Sequence, residues 1–102
     1  MDWASIYQSK ITTAEEAVHC IESNQRIFLT GNVSVPQKCL GALVEYAPNL
    51  ENVEICQALT IGSADYVKPE MEGHLRVNTL FISANVRKAV QEGHADFTPV
   101  LL

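Results

Sequence analysis

Asp65, Glu70 and Glu72 crowd one short stretch, and neighbouring carboxylates are common equipment for general acid–base catalysis. That chemistry needs one of them desolvated so that its pKa rises, and no apolar run surrounds them. A solvated acidic loop is the expected outcome. His74 and Arg76 follow two residues apart, so an extended segment turns both to one side. Arg76 there would hold a carboxylate or phosphate, although pairing with Glu70 or Glu72 is the commoner use of such an arginine. Gly31-Asn32-Val33-Ser34-Val35-Pro36 points to binding instead. Gly31 lets backbone approach a ligand closely, and the helix that Pro36 opens offers unpaired amides with partial positive charge. Asn32 and Ser34 add side-chain donors; a tight turn with an N-cap is the structural alternative. Ser83-Ala84-Asn85 repeats the theme, with Asn85 either capping a helix or touching a ligand.

The elements that must carry these residues alternate in type. Trp3 to Lys10 makes a short amphipathic arm with Trp3, Ile6 and Tyr7 on one side. Thr12-Thr13-Ala14-Glu15-Glu16 offers two overlapping capping boxes, and Ala14, Ala17, Val18 and Ile21 follow at helical spacing until Ser23-Asn24. Arg26 to Thr30 is a continuous apolar run that fits a strand buried on both faces. Leu40, Leu43, Val44 and Ala47 form one helical stripe that Pro48-Asn49 ends. Val53 to Leu59 reads as a second strand, and Thr60 to Gly73 as an irregular loop over the carboxyl end of the sheet. Leu75 to Ser83 contains a third strand, placed at Thr79 to Ser83. Val86 to Glu92 is a helix capped by Asn85 and closed by Gly93. Asp96 to Leu102 reads as a fourth strand, with Pro99 marking an edge or bulge. This order predicts an α/β fold: a three-layer, mostly parallel open sheet with right-handed crossovers. In such sheets ligands bind beyond the carboxyl ends of the strands, where Gly31–Pro36 and Ser83–Asn85 both fall.

The stretch Glu70-Met71-Glu72-Gly73-His74-Leu75-Arg76-Val77-Asn78-Thr79-Leu80-Phe81-Ile82-Ser83-Ala84-Asn85-Val86-Arg87 resembles, nearly letter for letter, a signature of the acetyl-CoA hydrolase/transferase family, especially its 4-hydroxybutyrate CoA-transferase-like members. Phe28-Leu29-Thr30-Gly31-Asn32-Val33-Ser34-Val35-Pro36-Gln37-Lys38 matches that family's first strand and glycine turn. Gly93-His94-Ala95-Asp96-Phe97-Thr98-Pro99-Val100 follows in family order, with His94 where relatives usually carry arginine. The resemblance implies a CoA-transferase-like α/β fold and a glycine loop bordering the active-site cleft. Gly31, Asn32, Ser34, Pro36, Ser83 and Asn85 are the expected substrate-binding residues. It implies transfer of CoA between an acyl-CoA and a short-chain carboxylic acid through a glutamate nucleophile, with a CoA thioester as substrate and no other cofactor. Family members are several-fold longer and carry that glutamate in their C-terminal half. The expectation is therefore one domain, residues 1–102, forming a truncated N-terminal portion that is inactive alone. Neither Glu70 nor Glu72 matches the nucleophile's motif, and no catalytic residue is assigned. The alternative is a stand-alone oligomeric binding or assembly module that kept the fold without the chemistry.

Composition limits the remaining choices. A chain of 102 residues buries about two-thirds of its unfolded surface, enough for one core. Seven basic against twelve acidic residues give a net charge of −5, which argues against nucleic acid and anionic membranes as partners. No apolar run approaches the roughly 18 residues of a membrane span. Met1-Asp2-Trp3-Ala4 puts an acid where a secretory signal starts with a cation, so a cytoplasmic protein is expected. Cys20, Cys39 and Cys56 are widely spaced and suggest unpaired structural thiols, with no metal site expected from them or from scattered histidines. Finally, Phe97, Val100, Leu101 and Leu102 form an apolar segment that a homodimer would cover, unless Trp3, Ile6 and Tyr7 fold back over it.

Overall fold

The computed structural model describes residues 1–101. Helix α1 spans Trp3–Lys10, started by Asp2, whose carboxylate accepts from the Ala4 and Ser5 amides at 3.1 and 3.3 Å. Of the two overlapping capping boxes the chain forms half of the second, and the Glu16 carboxylate accepts from Thr12 Oγ1 at 2.7 Å. Thr13 Oγ1 accepts from the Glu16 amide at 3.2 Å to start α2 (Ala14–Ala17), which tightens into a 3₁₀ turn over Val18–Cys20. Four strands follow: β1 (Arg26–Leu29), β2 (Val53–Gln57), β3 (Leu75–Thr79) and β4 (Ala95–Phe97). Helix α3 (Gln37–Tyr46) joins β1 to β2, and α4 (Ala84–Gln91) joins β3 to β4.

All strand pairs are parallel, in the sequential order β1-β2-β3-β4. Sequential order combined with right-handed crossovers sends every connection over the same face of the sheet. The burial pattern agrees. Leu29, Val53, Ile55, Leu75, Val77 and Ala95 point into one core with Leu40 and Leu43 of α3, Ala89 of α4 and Val18. The α/β parallel sheet is the one expected; of its layers, the described residues supply the sheet and the layer over its core face. The opposite face carries Arg26, Phe28, Glu54, Cys56, Arg76, Asn78 and Asp96 in alternate positions. There Arg76 makes a bidentate pair with Asp96 at 2.8 and 2.9 Å and lies 3.8 Å from Glu72, and Arg26 pairs with Glu54 at 3.1 Å.

Several expectations change. Strand β1 is not buried on both faces: it is an edge strand, and Phe28 on its outer face is 69% exposed. The third strand is Leu75–Thr79 rather than Thr79 to Ser83, because Gly73, at φ +83°, turns the chain directly into register with Val53–Gln57. Leu80 and Phe81 still donate to the Gln57 and Ala58 carbonyls before the ladder gives out. Strand β2 ends at Gln57, short of Leu59. Strand β4 is three residues long; Thr98 adds one bond to Thr79, and Pro99 has no N–H to continue. The rest of that predicted strand includes Leu102, which lies outside the described residues. Cys20 and Cys39 are exposed rather than packed, Cys56 is half-buried, and all three are unpaired.

The period-two alternation gives a direct test. Ile55→Ala, on the core face, is expected to lower unfolding stability by about 2–5 kcal/mol. Phe28→Ser, on the open face, should change it by less than about 0.5 kcal/mol. Urea denaturation of both variants checks this, and equal losses would mean that the outer face is covered.

Candidate functional site

Three chain segments meet beyond the carboxyl ends of β1, β2 and β3. After β1, Gly31 passes so close to the next connection that a Cβ on it would lie 2.5 Å from the Leu59 carbonyl oxygen. Only glycine fits. Asn32, in the left-handed region at φ +53°, then donates its amide to that same carbonyl at 2.7 Å and forms an isolated parallel bridge with Thr60. Asparagine tolerates that backbone better than other side-chain-bearing residues do. The Ser34 amide returns to the Gly31 carbonyl at 3.0 Å, while the Ser34 carbonyl accepts from Thr30 Oγ1 at 2.7 Å. Pro36 stands at the N-cap of α3, and Leu40 donates to its carbonyl. The first residue of α3, Gln37, reaches across to the Ile61 carbonyl at 2.8 Å.

The third segment is the turn into α4. Ser83, not Asn85, occupies the N-cap position, and Asn85 sits inside the helix. Its side-chain amide nitrogen donates to Thr60 Oγ1 and to the Gly62 carbonyl, each at 3.2 Å, and its oxygen accepts from Ser83 Oγ. Capping, the expected structural role for Asn85, is replaced by a tie between two connections. Leu59, Thr60, Ile61, Gly62, Ser83, Ala84 and Asn85 together line a shallow depression of about 370 Å³. Val33, Leu59, Ile61 and Phe81 expose apolar side chains on the segments that meet here.

Beneath this surface lies a polar cluster that sequence reasoning missed. Gln57, Thr60, Tyr66 and Thr79 are all buried, and Gln57 and Thr79 are fully so. Tyr66 Oη lies 2.9 Å from Gln57 Oε1 and 3.0 Å from Thr60 Oγ1. Gln57 Nε2 lies 3.3 Å from Thr60 Oγ1 and 3.4 Å from Thr79 Oγ1. Thr79 Oγ1 has one hydrogen to give, and the Ala58 and Phe81 carbonyls both lie within its reach. The loop from Thr60 to Gly73 is therefore not simply irregular. Its 3₁₀ turns, Asp65–Val67 and Pro69–Met71, drop Tyr66 into the core. One sequence signal was available: Gln57 is the only polar residue in the row Val53, Ile55, Gln57, an inward position that demands hydrogen-bond partners.

The carboxylates do not join this site. Asp65 pairs with Lys68 at 3.0 Å, Glu72 lies near Arg76 and His94, and neither they nor Glu70 line the depression. His74 is tied through Nδ1 to the Leu50 carbonyl at 2.7 Å, and His19 stacks on Tyr46. A larger groove of about 610 Å³ runs between α2 and α3, lined among others by Glu15, Gln37, Lys38 and Glu45. Among the described residues no cluster of three or more His, Cys, Asp or Glu forms a metal-binding group. The site at the strand ends thus offers neutral donors, backbone and apolar side chains.

A parallel α/β sheet with a glycine-bearing ligand edge defines the general class; the comparisons with known proteins give the family. Residues 1–102 match the acetyl-CoA hydrolase/transferase N-terminal domain, and the chain belongs to that family. It is 38% identical over 99 residues to the 4-hydroxybutyrate coenzyme A transferase of Clostridium kluyveri, covering 97% of this chain and 23% of that protein. It is 32% identical over 102 residues to a succinyl-CoA:acetate/propanoyl-CoA:succinate CoA transferase of Fasciola hepatica, covering 98% of this chain and 20% of the relative. The chain therefore spans less than a quarter of the length of either. The crystal structure of RipA from Yersinia pestis superposes with a TM-score of 0.87 at 22% identity, over 99% of this chain and 26% of that one.

Burial pushes the Tyr66 hydroxyl above its ordinary pKa of 10.0, against the opposing effect of its bonds to Thr60 and Gln57. The folded state then keeps a proton that the unfolded state loses, so this stabilisation is complete below pH 10 and fades as pH rises through the raised value. Tyr66→Phe, which leaves Gln57 and Thr60 short of a partner, should cost about 1–3 kcal/mol at neutral pH. The gap between wild type and variant should narrow above about pH 10 in thermal melts. A gap independent of pH would show that Tyr66 is not buried as a neutral phenol.

Proposed function

We propose that this chain forms one wall of an acyl-CoA/carboxylate cleft in a CoA-transferase or acyl-CoA hydrolase. Its substrates in that reading are a CoA thioester and a short-chain carboxylic acid. The carrying observation is the meeting of three strand-end segments at Thr60, with Gly31 packed against Leu59 and an apolar rim above neutral donors. Backbone near Gly31 and Asn32 and the Ser83 hydroxyl suit the polar parts of a thioester. Leu59, Ile61 and Ala84 suit an acyl or pantetheine chain. The names of the relatives support the substrate class, since those proteins transfer CoA between carboxylic acids.

In the mechanism the family resemblance implies, a glutamate carboxylate attacks the thioester carbonyl and expels CoA thiolate, leaving an acyl–glutamyl anhydride. The thiolate then attacks the glutamyl carbonyl, releasing the first acid and forming a glutamyl–CoA thioester. A second carboxylate reverses both steps. The nucleophile is proposed to belong to a region outside these 102 residues, because none of the carboxylates described here lines the binding surface. This chain contributes positioning and exclusion of water, and the cytoplasm is its proposed compartment. Incubated with acetyl-CoA and isotopically labelled acetate, the 102-residue chain should show no CoA exchange by mass spectrometry. Turnover would place the nucleophile inside it.

Self-association is proposed alongside. Phe97, Val100 and Leu101 are exposed, and α1 does not cover them at the expense of its own exposure: Trp3 and Tyr7 remain 72% and 65% exposed. A two-fold contact through this edge would bury a few hundred Å² of apolar surface, worth several kcal/mol at about 25 cal/mol per Å² before association costs. It also favours the second reading, a binding or assembly module without chemistry. Light scattering should give about twice the 11.2 kDa chain mass. A monomer at every accessible concentration would remove both the dimer and that second reading.

A further inference from the structure

We infer that Thr60 is the positioning residue of the candidate site: its hydroxyl ties the end of β2 and the β2–β3 crossover to α4, while its backbone bridges the turn after β1. The inference rests on reading that surface as a binding site. Its basis is the direction of each hydrogen bond around the buried cluster. Thr60 Oγ1 accepts from Gln57 Nε2 at 3.3 Å and from Asn85 Nδ2 at 3.2 Å, which occupies both lone pairs. Its one hydrogen must then go to Tyr66 Oη, 3.0 Å away. The Tyr66 hydrogen goes to Gln57 Oε1 at 2.9 Å, because an amide oxygen only accepts. Thr60 to Tyr66 to Gln57 and back to Thr60 is therefore a closed circuit, every donor pointing the same way round.

The circuit and the Asn85 bond that feeds it join separate parts of the scaffold. Gln57 is the last residue of β2, Tyr66 hangs from the β2–β3 crossover, and Asn85 belongs to α4. The Thr60 backbone meanwhile bridges Asn32, in the turn after β1. Removing the hydroxyl leaves Asn85 with one acceptor fewer and Tyr66 with one donor fewer, while the strands keep their ladder. The loss should therefore fall on the binding surface and not on the sheet, which separates a positioning role from plain core packing.

The test uses Thr60→Val, which keeps the shape, and Thr60→Ser, which keeps the hydroxyl, in the 102-residue chain. Amide exchange is followed residue by residue by NMR, well below the unfolding midpoint of each variant. In Thr60→Val the Asn32 and Phe81 amides should exchange about tenfold faster while Ile55 and Val77 change by less than about twofold; Thr60→Ser should restore the wild-type pattern. Proportional acceleration of loop and strand amides, or a serine variant no better than valine, overturns the inference. Should Thr60→Val not fold, Asn85→Ala removes the α4 donor to the Thr60 hydroxyl and must give the same loop-confined acceleration. A parallel titration with CoA separates the two claims. If the wild-type chain shows CoA-dependent shifts near Asn32 and Ser83, Thr60→Val should need about tenfold more CoA. If it shows none, the binding-surface reading fails, and the exchange result alone still decides what Thr60 does.

Discussion

A polar side chain taken out of water must find partners, and at the carboxyl end of this sheet that requirement organises everything around it. Gln57 occupies an inward position where Val53 and Ile55 have apolar neighbours, and nothing in a parallel ladder satisfies a side-chain amide. Its needs are met by a threonine three residues on, a tyrosine nine residues on and a threonine of the adjacent strand. Among the described residues no buried side-chain nitrogen or oxygen lacks a partner. A fully paired cluster of this kind favours one arrangement of the loops over its alternatives, since most displacements would strand a buried donor or acceptor.

The glycine turn fits the same scheme from the other side. Gly31 presses on the Leu59 carbonyl at a distance no side chain allows, and the Asn32 amide donates to that oxygen. The backbone contact above and the polar cluster below grip one short segment, Leu59 to Thr60. That grip turns three separate strand-to-helix connections into a single surface. None of the residues lining that surface is a carboxylate. In the proposed reading the reacting group comes from elsewhere in a longer protein, and this division fits a cleft whose walls are built before its nucleophile is added.

The sheet is one-sided for a topological reason. Parallel neighbours in sequential order, each joined by a right-handed crossover, stack all connections on one face. The other face is lined by two ion pairs, a half-buried thiol and an exposed phenylalanine. Exposed ion pairs contribute little stability, so the core on the covered side must hold the fold. Aligned α3 and α4, the inserted Tyr66 and the apolar rows of β2 and β3 form that core.

Much of this was legible in the residues themselves. Capping at Thr13 and Glu16, the α3 stripe, the β2 alternation and the Gly93 terminator follow from local geometry, and α1 falls on the residues that periodicity chose. The location of the candidate site was legible too, because strand-glycine-helix order dictates which end of a parallel sheet faces a ligand. Its wiring was not. Nothing local says that Tyr66, in an acidic loop, turns inward to meet Gln57, or that Asn85 leaves its cap to hold Thr60. Those pairings span up to 25 residues of sequence and exist only once three connections are folded over the same strand ends. The apolar run of β1 misled for the same reason: local composition reads as burial on both faces, but exposure depends on which strands and helices arrive beside it. Sequence by itself determined most of the elements and their order. Tertiary structure decided which polar groups meet and which face stays open, because both depend on contacts between segments that no local propensity encodes.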